Sequence, residues 1–171
     1  MKKSIMKLIG MMGILVLVYS CQQKSNYNNV DEIVAEAMET TQGITAEQLH
    51  TKIDNGDMIL LIDTREPAEF NAGYIPGAVN IPRGVLEFEI DNEAFWDEAM
   101  LYMPEKEEEI IIYCKKGKRS ILAACTLKKL GYKKVYYLSD GWKNWEMNYP
   151  LMYEKNPDQS AHTSSGESGG C

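Results

Sequence analysis

An α/β fold, with a central, mostly parallel sheet flanked by helices, is predicted by two patterns in the sequence. Short continuous apolar runs at Met58–Ile62, Ile110–Tyr113 and Val135–Leu138 read as strands buried on both faces. Around them lie segments of helical period with definite starts and stops, and strands alternating with helices favour a parallel sheet. The chain has 171 residues, 44% of them hydrophobic. One core domain of roughly 110–130 residues fits that length and a second full domain does not.

The first segment reads as an address. Lys2, Lys3 and Lys7 precede the apolar run Leu8–Tyr19, whose 12 residues are fewer than the about 20 needed to cross a bilayer. That length suits the apolar region of a signal peptide. Val18-Tyr19-Ser20-Cys21 then resembles the lipobox of bacterial lipoproteins. The resemblance implies a signal peptide over 1–20, cleavage before Cys21 and lipid on its sulfur. A lipid-anchored protein of the bacterial cell envelope follows, on the outer membrane by the identity of Gln22 and facing the periplasm or the surface. A plain signal peptide or a single anchor helix is the alternative. Residues 21–42 read as a polar tether, Asn-rich over Gln23–Asn29, and a short helix. In that helix, over Val30–Thr41, Ile33, Val34, Ala37 and Met38 fall at helical spacing.

The folded domain is expected over 43–152. Thr45-Ala-Glu-Gln48 is a capping box opening a helix through Leu49 and Ile53, closed by Asn55-Gly56. Met58–Ile62 runs into Asp63. Ala94–Met103 carries Phe95, Ala99, Tyr102 and Met103 on one helical face before Pro104, and Glu107–Glu109 reads as a solvated turn. The strand Ile110–Tyr113 stops at Cys114, and the helix Ser120–Leu130 has Gly131 as its C-terminal stop. After the strand Val135–Leu138, Gly141–Met147 forms a last helix bearing Trp142 and Trp145. The remainder, 153–171, is Ser, Gly and polar residues without periodicity, a disordered tail.

Charge excludes some functions. The net charge is −7, and without the first twenty residues 15 basic residues face 25 acidic ones. No sustained basic tract offers a face to nucleic acid. Two histidines, His50 and His162, leave little room for a hydrolytic triad or a histidine-rich metal site. The four cysteines, Cys21, Cys114, Cys125 and Cys171, contain no Cys-x-x-Cys pair. No metal and no organic cofactor is expected, and the chemistry is expected to use a single thiol.

The informative segment is Cys114-Lys115-Lys116-Gly117-Lys118-Arg119-Ser120. It joins a buried strand to a helix, where open α/β sheets place their sites. Successive N–H groups in a tight loop, together with a helix N-terminus, can converge as an anion nest. Gly117 permits the positive φ such a curl needs. Four cations then collect around Cys114 in an acidic protein, a setting that favours the nucleophilic thiolate. The plainer reading is a strand-end core cysteine beside a solvated face of lysines.

This segment resembles the active-site loop of the rhodanese sulfurtransferases, Cys-x-x-Gly-x-Arg-Ser. Leu61-Ile-Asp63-Thr-Arg65-Glu-Pro67-Ala-Glu-Phe70, Gly73-Tyr-Ile-Pro-Gly77-Ala-Val-Asn-Ile-Pro82 and the region from Leu138 through Gly141, Trp142, Trp145 and Pro150 match other segments of that family in order and spacing. The likeness spans about Gly43 to Met152. Tyr74 stands where histidine is usual, and Asp140 and Asn148 stand where glycines are usual. Four residues separate Cys114 from Arg119, one fewer than in the related phosphatase loop, which favours sulfur handling over dephosphorylation.

The resemblance implies a rhodanese-like fold and ping-pong transfer through a persulfide on Cys114, the catalytic residue. Lys115, Lys116, Gly117, Lys118, Arg119 and Ser120 would bind a small anionic sulfur donor such as thiosulfate, and a thiol or cyanide would accept the sulfur. Asp63 and Arg65 would support the site from behind or order the neighbouring loops as an ion pair. A non-enzymatic rhodanese-like module that binds a partner or an oxidised sulfur species is the alternative. Cys125, on a nearly all-apolar helix, reads as packing; Trp142, Trp145 and Phe95 read as core or rim, and His50 has no evident partner. Gly166-Glu-Ser168-Gly-Gly170 formally matches an esterase elbow but lacks the strand and helix that motif requires.

Overall fold

The computed structural model describes residues 26–156. These fall into a short unit ending at Glu32 and a main unit from Ile33 onward. In the short unit the Asn29 side-chain oxygen accepts from the N–H groups of Asp31 and Glu32, which starts a helix as a capping residue does. In chain order the elements are α1 (Val30–Thr40), β1 (Gln42–Ile44), α2 (Ala46–Asp54), β2 (Leu60–Asp63), α3 (Pro67–Asn71), β3 (Ala78–Asn80), α4 (Leu86–Glu89), α5 (Glu93–Glu98), β4 (Glu109–Tyr113), α6 (Lys118–Lys129), β5 (Lys134–Leu138) and α7 (Gly141–Asn148).

The five strands form one sheet in the order β1-β5-β4-β2-β3, and every neighbouring pair is parallel. Successive side chains of a strand point to opposite faces, so the central strands feed two cores. Ile62, Ile110 and Ile112 pack with Val34, Leu86, Trp96, Ile121 and Leu127. On the other face Leu61, Ile111 and Tyr113 pack with Leu49, Trp142 and Trp145. Each fully buried side chain of this size contributes about 1.5–3 kcal/mol relative to exposure.

Local signals are realised where they concern caps. Thr45 and Gln48 form both reciprocal bonds of the capping box, at 3.1 and 2.8 Å. Asn55 caps α2, and Gly56 and Gly131 take φ of 69° and 94° just past their helices. Both would strain a side chain.

Several expectations need correction. The strand at Met58–Ile62 begins only at Leu60, because its partner β4 begins at Glu109 and pairs Ile110 with Leu60; Met58 is 96% exposed. Glu109 is therefore strand rather than turn, and its carboxylate meets Lys52 at 3.0 Å. The short helix expected over Val30–Thr41 is present as α1, in which Val34 and Ala37 are buried while Ile33 and Met38 are more exposed. The helix expected over Ala94–Met103 ends at Glu98, and its buried residue is Trp96, whose indole N–H donates to the Ile90 carbonyl at 3.1 Å. Tyr102, expected on one helical face with Phe95, lies beyond the helix and is 98% exposed. Residues 153–156 pack on the domain: Tyr74 and Glu154 form an antiparallel bridge with two backbone bonds of 2.9 Å. Among the described residues no helix is long and apolar enough to cross a membrane.

Candidate active site

The strands β2, β4 and β5 are adjacent and parallel, so their C-terminal ends meet at one edge of the sheet, where Cys114 follows β4. Cys114 is 2% exposed. Its sulfur accepts from the Gly117 N–H at 3.2 Å, and Gly117 takes the positive φ expected of it, 96°. The next residue opens α6, so the positive end of a 12-residue helix lies beside the loop. Ser120 is buried and its hydroxyl donates to the Gly117 carbonyl at 2.8 Å, which closes the turn from below.

A second helix pins the loop from its carbonyl side. The N–H of Trp142 donates to the Cys114 carbonyl at 2.8 Å and that of Lys143 to the Lys115 carbonyl at 3.1 Å. These two carbonyls are thus held by α7, while the Gly117 N–H meets the sulfur. The approach requires Gly141, which has φ 60°. Asp140 also sits left-handed at φ 60°, a conformation that Asp and Asn tolerate better than other side chains. The substitution for glycine there is thus accommodated locally.

Behind the loop lies a buried ion pair. Arg65, 3% exposed, donates through its Nε at 2.8 Å and its Nη2 at 2.6 Å to Asp63 Oδ2, and its backbone N–H donates to Asp63 Oδ1 at 2.9 Å. The same Nη2 donates to the Gly73 carbonyl at 2.6 Å, and the guanidinium lies 4.6 Å from the Trp142 ring centroid. Burial pushes the Asp63 carboxyl above its ordinary value, against the pull of Arg65. Asn80 ties both residues down, its amide donating to the Asp63 and Arg65 carbonyls at 3.0 and 2.9 Å. The pair orders the β2 end and the segment at Gly73.

A cavity of about 440 Å³ opens beside the loop, walled by Arg65, Glu69, Ala72, Gly73, Lys115, Lys116, Trp142, Lys143 and Glu146. Of the residues singled out in the sequence, it takes in Lys115, Lys116 and Arg65. Cys114, Gly117 and Ser120 lie beneath, in the buried turn, and Lys118 is exposed on the first turn of α6. Arg119 pairs with Glu69 of α3 at 3.2 Å, so its guanidinium ties α6 to α3. Glu69, Lys143 and Glu146 were not singled out, and Trp142 was read as packing alone. The signal that would have found Lys143 is topological: a helix following a strand beside β4 must start beside the Cys114 loop.

The other cysteines separate cleanly. Cys125 is half-buried against the core, with its sulfur 3.7 Å from the Thr40 hydroxyl. Cys21, Cys171, His162 and the stretch Gly166–Gly170 lie outside the described residues, as do the signal segment and most of the tail. His50 does have partners: its ring stacks on Tyr149 at 4.3 Å, and its Nδ1 meets Asp54 at 3.1 Å. Among the described residues no group of three or more His, Cys, Asp or Glu side chains could hold a metal.

Comparisons with known proteins bear on the family and the fold. Residues 45–148 match the family described as rhodanese-like domain. A mouse thiosulfate sulfurtransferase/rhodanese-like domain-containing protein 3 is 30% identical over 119 residues, 68% of this chain and 74% of its own. A human single-domain sulfurtransferase has 29% identity and TM-score 0.58, over 63% of this chain and 96% of its own. A Rhodopseudomonas palustris protein of unknown function, described as "Possible Tyrosine Phosphatase", has 25% identity and TM-score 0.62, over 75% of this chain and 96% of its own. Other relatives are longer: the chain spans 62% of one from Schizosaccharomyces pombe and 49% of one from Bacillus subtilis.

Proposed function

Because the chain belongs to the rhodanese-like domain family, we propose that it is a sulfurtransferase that carries a sulfane sulfur on Cys114. The observation that carries this reading is the bond from the Gly117 N–H to the Cys114 sulfur, at the N-terminus of α6. A donor for a sulfur anion is thereby built into the backbone and needs no rearrangement.

The reaction proceeds in two displacements. The Cys114 thiolate attacks the outer sulfur of thiosulfate or a similar donor; the new S–S bond forms as the donor's S–S bond breaks, and sulfite leaves with the electron pair. Lys115 and Lys116, exposed at the cavity wall, hold the anionic donor. A thiol or cyanide then attacks the outer sulfur of the persulfide, and the electron pair of the broken bond returns to Cys114 as thiolate. Lys118, Gly117, Ser120 and Arg119 maintain the loop in this reading, and Asp63 and Arg65 support it from behind. The four-residue interval from Cys114 to Arg119 favours sulfur over phosphoryl chemistry, despite the likeness to the Rhodopseudomonas protein. The reading also includes lipid on Cys21 and attachment to the bacterial envelope.

The test is a thiosulfate:cyanide assay on the full chain and on Cys114→Ser, with mass spectrometry of the Cys114 peptide after thiosulfate treatment. Thiocyanate formation and a mass gain of one sulfur atom are expected in wild type only. Equal rates in the two proteins would remove the covalent mechanism, and the reading of a non-enzymatic binding module would replace it.

A further inference from the structure

Four consecutive apolar residues, Met100 to Met103, stand at the surface between α5 and β4. Met100 is 91% exposed and Tyr102 98%, and Leu101 and Met103 each keep a little under half of their surface in water. Single exposed apolar side chains are ordinary, whereas a continuous exposed apolar stretch marks an interaction site.

The backbone presents this stretch at a cost. Helix α5 ends in a Schellman motif, in which the Met100 N–H donates to the Asp97 carbonyl at 3.0 Å and the Leu101 N–H to the Trp96 carbonyl at 2.9 Å. The motif puts Met100 in the left-handed region, at φ 55°, where glycine is favoured and a side chain is strained. Burial does not offset that strain, because the Met100 side chain is almost wholly exposed. Pro104, which is buried, fixes the other end. The stretch is thus held in place before any partner arrives, and docking on it orders little chain.

Acidic residues flank it. Asp97 and Glu98 precede it, Glu105 and Glu108 follow, and all four are exposed. None of the four is ion-paired among the described residues, whereas Glu107 is taken up by Lys133 at 3.2 Å. This charge selects among the surfaces that could cover the apolar stretch. Anionic lipid is repelled, and so is a second copy of the chain, with its net charge of −7. A cationic polypeptide is attracted. We propose that residues 97–108 dock a basic amphipathic segment of another protein, whose apolar side chains pack on Met100 and Tyr102 and whose Lys or Arg residues meet the four unpaired carboxylates. The five residues of β4, about 16 Å of strand, separate Glu108 from Cys114, so this surface is distinct from the cysteine loop and the inference does not depend on sulfur transfer.

The test uses the full chain and two fluorescent synthetic peptides with Leu at the same amphipathic helical spacing, one with Lys and one with Glu at the polar positions. Anisotropy titrations are expected to show binding of the Lys peptide alone, weakening as salt is raised. Tyr102→Ser is expected to weaken it at least about tenfold, as loss of an aromatic anchor does. Met58→Ser, which removes an equally exposed methionine elsewhere, is expected to leave it unchanged. Met100→Gly is expected to weaken binding and yet to raise Tm by about 2–4 °C, through relief of the left-handed strain. No binding of the Lys peptide, equal binding of both peptides, or an affinity unchanged in Tyr102→Ser would overturn the inference. Pelleting with phosphatidylglycerol–phosphatidylethanolamine vesicles, or self-association in sedimentation, that Tyr102→Ser abolishes would overturn it too, by assigning the stretch to a membrane or to a second copy.

Discussion

Gly141 and Cys114 meet backbone to backbone: a Cβ added to Gly141 would overlap the Cys114 carbonyl oxygen and lie 3.0 Å from both the Gly117 nitrogen and the Lys115 carbonyl carbon. The first turn of α7 therefore sits against the underside of the loop as closely as the chain allows. Through that contact α7 satisfies the carbonyls of Cys114 and Lys115, while the Gly117 N–H donates to the Cys114 sulfur.

Gly141→Ala is accordingly expected to damage both stability and turnover. Gly56 supplies the comparison, because it too has positive φ, 69°, but nothing lies within 4 Å of its Cβ position. Gly56→Ala should cost about 1–2 kcal/mol from backbone conformation alone. Gly141→Ala should cost more in denaturant melts and should slow sulfur transfer, which Gly56→Ala leaves intact. Equal costs would mean the loop gives way easily.

The Asp63–Arg65 pair yields a second expectation. Both groups are buried, and Arg65 turns three of its N–H groups on Asp63. Removing one partner leaves a buried charge uncompensated, at about 3–5 kcal/mol. Asp63→Asn is expected to lose stability in that range by urea unfolding. A loss below about 1 kcal/mol, typical of an exposed pair, would show that Arg65 finds solvent.

A pH dependence follows from Asp91. Tyr132 donates to its carboxylate at 2.7 Å and Lys106 at 2.9 Å, and both hold its pKa below the ordinary 3.8. The folded state thus favours the ionised form. The resulting stability is present above pH 3.8 and is lost as pH falls through the lowered folded value. The destabilisation caused by Asp91→Asn, read from thermal melts, should therefore shrink as pH is taken from neutral to well below 3.8. A pH-independent cost would assign the effect to packing.

Cys21 is expected to carry lipid. Metabolic labelling with a radioactive fatty acid should mark the wild-type chain and spare Cys21→Ala, and the membrane-pelleted fraction should fall with the label. Label retained by the variant would refute the assignment, and a wild type without label would favour a plain signal peptide or an anchor helix.

Much of the site was legible in the sequence because its chemistry is written in consecutive residues. Cys114 through Ser120 lie together in the chain, and the curl at Gly117 and the start of α6 are local backbone events. The capping box at Thr45 and the stop at Gly131 were readable for the same reason. Periodicity was less reliable where it had to choose a face. Phe95, Ala99, Tyr102 and Met103 share a helical stripe on paper, yet α5 stops at Glu98 and buries Trp96 instead. Which stripe turns inward depends on where the rest of the chain has left room.

Residue order alone thus singled out Cys114 and the cation-rich loop after it, through motif resemblance and local backbone signals, and the α/β class, through hydrophobic period. Tertiary structure decided the company Cys114 keeps. Placing β5 beside β4 delivers the start of α7 to the loop carbonyls and brings Lys143 and Glu146 to the cavity wall, while α3 draws Arg119 onto Glu69. Those neighbours are separated from Cys114 by tens of residues along the chain, and only the pairing of parallel strands and the packing of helices across them determine that they meet.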